Sequence, residues 1–328
     1  MPGPDRRGLG RHETAQSTSA HGCRWQVLTG RRGHDCTESE TIVDPRRLAE
    51  GPLRRPGNPS RGTPQAATLR HQIPKVPQEP ASSPWLVNRA MAGQTGLFCL
   101  PASGGGASDY RPWRKIAPPW LSVLPVLLPA REARLDEPAV TSMTAVVEAA
   151  LPHIERHAPR RYALFGHSMG AIIAFELARK LSARGRPPVR LFVSGAAAPH
   201  YGSQLPRLSD RPMDEILDVM IAQCGVSGET REHAELVDLL EPALRGDLKI
   251  VESYVYGAGP MLSCPITVLQ GEEDGLTRPE RAGAWAYQTR GSLILRTYPG
   301  DHSFLQGERA AVVSDIVRDL EADGESPK

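Results

Sequence analysis

Beyond about residue 82, short apolar runs bounded by turn residues alternate with longer stretches of helical spacing. Residues 97–100, 121–128, 162–165, 189–194, 265–269 and 293–298 read as strands. They are apolar almost throughout, as in strands covered on both faces. Helical spacing runs through 139–157, 169–183, 279–289 and 308–322, with Pro152 interrupting the first late and Gly185 and Pro187 ending the second. This alternation predicts an α/β fold, a mostly parallel central sheet flanked by helices. Between Pro199 and Ser263 it gives way to three helical segments, 213–223, 233–240 and 243–256. Such an insertion predicts a helical lid, about 200–263, over the end of the sheet where ligands bind. Plain packing helices are the alternative.

The first 92 residues differ in composition. They carry 14 basic and 8 acidic side chains, a net of +6, which leaves 25 basic and 29 acidic in the remainder, a net of −4. Only 12 of them are Leu, Ile, Val or Phe, whereas 20 are Pro or Gly. Such a segment buries too little apolar surface to offset its ordering entropy. A disordered Arg/Pro/Gly-rich leader over 1–82, a domain over 83–322 and a disordered tail over 323–328 are expected. The pairs His21-Gly-Cys23 and His34-Asp-Cys36 do not have the spacing of a zinc site, so no metal is expected.

The whole chain has 328 residues and a formal charge of +2. That balance argues against a nucleic-acid binder with a broad basic surface. The five cysteines lack the density of a disulfide scaffold. No apolar run is long enough to span a bilayer, and the N-terminus has no apolar core of a secretory signal. A cytoplasmic, monomeric protein without membrane contact is the expectation.

Chemistry centres on Gly166-His167-Ser168-Met169-Gly170, a G-x-S-x-G pattern. A strand enters it and a helix leaves it, the context of a nucleophile elbow. Ser168 needs a base oriented by an acid, in the chain order Ser, acid, His. Of ten histidines only His302 lies beyond residue 233, in a loop after a strand. The acid is sought after the preceding strand. Asp274, before Gly275, is preferred, with Glu272, Glu273 and Asp301 as nearby alternatives, while Asp247 lies off the strand ends in the helical insertion. The amide of Met169 and one from the Gly-rich stretch 101–107, that of Ser103, are candidates for an oxyanion hole.

Several blocks together resemble the type II thioesterases of nonribosomal peptide and polyketide synthesis. They are LFCLPASGGGASDYRPW (97–113), LPAREARLDEP (128–138), LFGHSMGAIIAFELAR (164–179), LFVSGAAAP (191–199), VLQGEEDGLT (268–277) and RTYPGDHSFL (296–305). The lid block 236–256 and SPWLVNR (83–89) are similar too, so the resemblance covers about 84–320. It implies an α/β-hydrolase that cleaves acyl groups from phosphopantetheine thiols on carrier proteins. It also implies Ser168 as nucleophile, His302 as base, Asp274 as orienting acid, Ser103 and Met169 as oxyanion donors, and no cofactor. A general serine esterase or lipase is the alternative, and a catalytically dead binding module a further one. Ala130 stands where the family has Gly in Pro-Gly-Arg, and Asp301 and Ser303 flank His302 where Gly and an aromatic are common. Asp301 is expected to raise the pKa of the adjacent base through its charge. The arginines of 128–138, with Arg111, Arg114 and Lys115, either face an acidic carrier protein or form a solvated surface. The leader lies outside the resemblance and is expected to be dispensable, as an over-extended gene start would be.

Overall fold

The computed structural model describes residues 26–29 and 83–324. Seven strands form one sheet: β1 (Gln26–Thr29), β2 (Thr95–Leu100), β3 (Leu121–Pro125), β4 (Tyr162–His167), β5 (Leu191–Ser194), β6 (Ile266–Gly271) and β7 (Leu293–Tyr298). Their order is β1-β7-β6-β5-β4-β2-β3, with every neighbouring pair parallel. The helices are α1 (Trp113–Ile116), α2 (Met143–His157), α3 (Met169–Ala183), α4 (Met213–Cys224), α5 (Ala234–Ser253), α6 (Pro279–Gly283) and α7 (Arg309–Ala322).

Side chains alternate across each strand, and both faces are buried. Phe98 and Leu100 of β2 face the layer of α2 and α3, among Val146, Val147, Ala174 and Phe175. Leu97 and Cys99 face the opposite layer, among Trp113 of α1 and Val312, Val313 and Ile316 of α7. Both faces being covered explains why these strands read as unbroken apolar runs. Helix α2 starts where the Ser142 hydroxyl accepts from the N–H of Ala145 at 3.3 Å, a side-chain cap.

The order of the main elements follows the sequence reading, with several differences. Residues 126–128 leave the sheet after β3, and Val126 forms an antiparallel bridge to Leu86. The two helices expected over 233–256 are one, α5, with Pro242 inside it. Pro242 removes the donor for the Asp238 carbonyl, and both residues are exposed, so that carbonyl is not shut away from solvent. The helix expected over 279–289 is α6 followed by a 3-10 turn, Ala284–Gln288. Finally, Gln26–Thr29 of the leader, expected without structure, pair with Ile294–Thr297 of β7. This short stretch, Gln-Val-Leu-Thr, lies along the otherwise open edge of β7, whose unpaired backbone groups accept another strand. The rest of the leader, including both His-x-Cys pairs, and residues 325–328 lie outside the described residues. Asp323, expected in the tail, is instead ion-paired with Arg190 at 2.6 Å.

Candidate active site

The loops that leave β2, β4, β6 and β7 all emerge at the carboxyl edge of the sheet, where this class of sheet binds its ligands. Ser168 follows β4 with φ 52° and ψ −118°, a region that residues with a side chain rarely occupy. The turn is possible because Gly166 and Gly170 lack side chains. A Cβ at Gly166 would overlap the Gly170 carbonyl, and one at Gly170 would overlap the Leu100 carbonyl. Backbone strain of this kind costs on the order of 1–3 kcal/mol. It is held here between two buried elements, β4 and α3.

His302 and Asp274 come from neighbouring strands. The loops after β6 and β7 are joined main chain to main chain: the N–H of Glu272 donates to the Tyr298 carbonyl at 2.8 Å, and that of Glu273 to Gly300 at 2.9 Å. A Cβ at Gly271 would overlap the Asp301 carbonyl, so only glycine permits this contact. Asp274 is thereby brought against His302, whose Nδ1 donates to Oδ2 at 2.9 Å. The other oxygen, Oδ1, accepts from the N–H groups of Leu276 at 2.9 Å and Thr277 at 3.3 Å. A carboxylate only accepts, so the His302 proton sits on Nδ1 and Nε2 carries a lone pair. Nε2 is buried and has no hydrogen-bond partner among the described residues.

The other carboxylates considered stand elsewhere. Glu272 and Glu273 are exposed. Asp301 accepts from the backbone N–H of Ser303 at 2.8 Å and its hydroxyl at 2.7 Å. Those two bonds lead in holding its carboxyl below the usual range, and the His302 ring adds a smaller pull. Asp247 is buried and forms a two-pronged pair with Arg131, both contacts at 2.8 Å. Burial raises its carboxyl, and Arg131 opposes the shift.

The loop after β2 places Ser103 and Gly104 at the centre of a turn closed by the Gly105 N–H on the Ala102 carbonyl, at 3.0 Å. Gly104 has φ +74° in the third position, as a type II turn requires. Among the described residues, nothing accepts from the N–H of Ser103 or of Met169, the first residue of α3. Two cavities meet at Ser168 and His302. One of about 530 Å³ also touches Ser103 and passes beneath α4 and α5, with Leu217, Met220 and Leu244 in its wall. The other, about 70 Å³, is walled by Met143, Ile172, Leu205 and Val251.

Two contributors escaped the sequence reading. The His167 ring lies 5.0 Å from that of His302. Its Nδ1 is 3.0 Å from Ser194 Oγ. Burial, reinforced by His302, pushes its pKa down to about 3, so it is neutral near pH 7. Arg131 and Arg134 were expected at a partner-facing or solvated surface. Both are buried instead, Arg131 on Asp247 and Arg134 on Glu137 at 2.6 Å and over the Trp85 ring at 4.5 Å. The partners Asp247 and Trp85 are distant in sequence and leave no local pattern, whereas Glu137 lies three residues from Arg134. Arg111, Arg114 and Lys115 are exposed. Among the described residues, no three His, Cys, Asp or Glu side chains cluster as metal ligands, and no helix is long and apolar enough to cross a membrane.

A strained serine at the head of a helix shares its cavity walls with a buried His–Asp pair, an arrangement suited to acyl transfer, and the sheet that carries it has the α/β-hydrolase fold. The thioesterase domain model matches residues 95–321, and the chain belongs to the thioesterase family, among its type II members. The gramicidin S biosynthesis protein GrsT of Aneurinibacillus migulanus is 33% identical over 239 residues, covering 72% of this chain and 93% of that protein. The thioesterase PikA5 of Streptomyces venezuelae is 34% identical over 224 residues, covering 67% and 79%. The solved type II thioesterase BorB from the borrelidin biosynthetic cluster superposes with a TM-score of 0.69 at 32% identity, covering 74% of this chain and all of that one. The protein is a hydrolytic thioesterase.

Proposed function

We propose that this thioesterase removes acyl groups from the phosphopantetheine thiol of acyl or peptidyl carrier proteins, and so clears stalled synthases of nonribosomal peptide or polyketide assembly. The observation that carries the reading is the junction of two cavities at Ser168 and His302. A thioester carbonyl has two arms, acyl chain and pantetheine, and they leave it in different directions. Two cavities meeting at one serine accommodate both. The pathways named for GrsT and BorB support the carrier-bound substrate. The enzyme would meet such partners in the cytoplasm.

In this reading His302 Nε2 takes the Ser168 proton as Oγ attacks the thioester carbonyl. The developing oxyanion is held by the N–H groups of Ser103 and Met169. The C–S bond breaks and the thiolate leaves with the proton from His302. Water then attacks the acyl-enzyme, giving a proton to His302, and Ser168 departs with it as the acid is released. Asp274 holds the imidazole in the tautomer that leaves Nε2 free, as its contact with Nδ1 requires.

The test is to load several acyl groups onto carrier proteins and follow their release. Release by the wild type and none by Ser168→Ala is expected. Simple oxoesters hydrolysed faster than carrier-bound thioesters would point instead to a general esterase.

A further inference from the structure

The Ser103 amide does not hold its own direction. It opens a loop rich in glycine, and Gly104 adopts the left-handed conformation. A loop of this composition has many accessible conformations. Outside contacts select one. The Gly104 N–H donates to Asp247 Oδ2 at 2.8 Å. Arg131 Nη1 donates to the same oxygen at 2.8 Å and to the Gly105 carbonyl at 2.8 Å. Arg131 Nη2 completes the pair on Asp247 Oδ1 at 2.8 Å. The side chains of Arg131 and Asp247 are only 7% and 2% exposed, so water does not compete for these bonds.

The supports of this pair are themselves specialised. Arg131 stands between Ala130 at φ 63° and Glu132 at φ 50°, two left-handed residues with side chains. That turn sends Glu132 Oε1 to the Ser108 N–H at 2.8 Å, a further tie on the same loop. Asp247 lies on α5, where Gly246 beside it lets the helix come close to Ala139: a Cβ at Gly246 would stand 2.7 Å from that side chain. Leu244, one turn earlier, lies 3.4 Å from where a Gly104 Cβ would be. The helix over the site and the loop at its edge are therefore fixed to each other through one carboxylate.

We propose that Asp247 and Arg131 are positioning residues for the oxyanion hole, holding the turn at Ser103–Gly104 so that the Ser103 N–H faces the reacting carbonyl, which makes α5 part of the catalytic frame. This rests on the reading of Ser103 as an oxyanion donor. Asp247 touches neither substrate nor His302. It acts on the transition state through the backbone, and its loss appears in the chemical step rather than in substrate binding.

The experiment compares three variants of the full chain. Ser103→Pro tests the underlying reading: proline suits the second position of a type II turn but removes the N–H. It is expected to lower kcat by roughly 10²–10³-fold, as loss of one oxyanion donor does. Asp247→Asn keeps an acceptor for Gly104 but weakens the hold of Arg131. The double variant Arg131→Met with Asp247→Leu removes both partners and leaves no unpaired buried charge, so it folds where a single truncation would not. Both are expected to lower kcat at least tenfold with KM unchanged. Affinity for a boronic acid, which mimics the tetrahedral intermediate, falls in proportion. Adding Asp247→Asn to Ser103→Pro costs nothing more, since the amide it positions is gone.

The readings fail in separable ways. If Ser103→Pro leaves kcat and boronate affinity unchanged, the Ser103 donor reading is wrong. If Ser103→Pro is damaging but the Asp247 and Arg131 variants only lower Tm, with boronate affinity per folded molecule intact, the positioning role is wrong and the pair is merely structural. Additive losses in the combined variant would also overturn it.

Discussion

Replacing Asp274 by asparagine isolates one property of the site, the tautomer of His302. The change is nearly isosteric. Oδ1 accepts from the N–H groups of Leu276 and Thr277, so the asparagine must keep its oxygen there and turn its NH2 toward His302. The imidazole then has two choices. Keeping its proton on Nδ1 sets two donors face to face across the present 2.9 Å contact. Moving the proton to Nε2 satisfies the asparagine but removes the lone pair that must receive the Ser168 proton. A buried hydrogen bond left unmade costs about 1–3 kcal/mol, and a charge-assisted bond lost from the imidazolium about as much again or slightly more. Together these are roughly 3–6 kcal/mol, a fall in kcat of about 10²–10⁴-fold. Steady-state release of a carrier-bound acyl group near neutral pH measures it, with a thermal melt to show that the fold is kept. A fall of less than tenfold, with Ser168→Ala inactive, would refute the role given to Asp274. Asp301→Asn or Glu272→Gln would then be expected to show the loss instead.

Other outcomes follow from the same geometry. Ala130→Gly relieves a left-handed alanine, worth about 1–2 kcal/mol, against the loss of one buried methyl, about 0.8 kcal/mol. A net gain of up to about 1 kcal/mol is expected, a rise in Tm of roughly 2–4 °C on melting. A lower Tm would mean the φ of 63° at Ala130 carries no strain. His167 has its pKa lowered from 6.5 to about 3 in the folded protein. The unfolded chain therefore binds one more proton in that window, and stability falls as pH drops from 6.5 toward 3, by about 1.4 kcal/mol per pH unit. His167→Gln removes that one-proton slope in denaturant titrations at successive pH values; an unaltered slope would contradict it. Asp301→Gly moves the pH–rate profile only slightly, because its carboxylate is bound to Ser303 and faces solvent, which leaves a small part of its charge acting on His302. A clear downward shift of the acid limb would show that its charge raises the His302 pKa, as the sequence alone led us to expect.

What the sequence makes legible here is local. Ser168 stands between a strand and a helix that both announce themselves by period, and the two glycines beside it are those the turn sterically requires. His302 is readable because the chain offers no other histidine after residue 233. Asp274 sits among four acidic residues of two adjoining loops, and only burial separates it from Glu272, Glu273 and Asp301. The Arg131–Asp247 pair joins residues 116 apart, and no periodicity reports a contact of that span. Surface charge is the default for arginine, which is why Arg131 and Arg134 were misplaced. Likewise Pro242 marks a break by local rules, yet packing carries α5 through it.

The loops that bring acid and base together are joined by main-chain bonds, Glu272 to Tyr298 and Glu273 to Gly300. That joint depends on few of the side chains the loops carry, apart from the glycine at 271 and Gly300, whose φ of 108° favours glycine. The side chains at 272 and 273 are exposed and take no part in it, so changing them leaves Asp274 against His302. The charge at the rim of the site can therefore be altered while the geometry beneath it stays the same. The two exposed glutamates beside Asp274 then bear on the surface the site presents, and the backbone joint on the site itself.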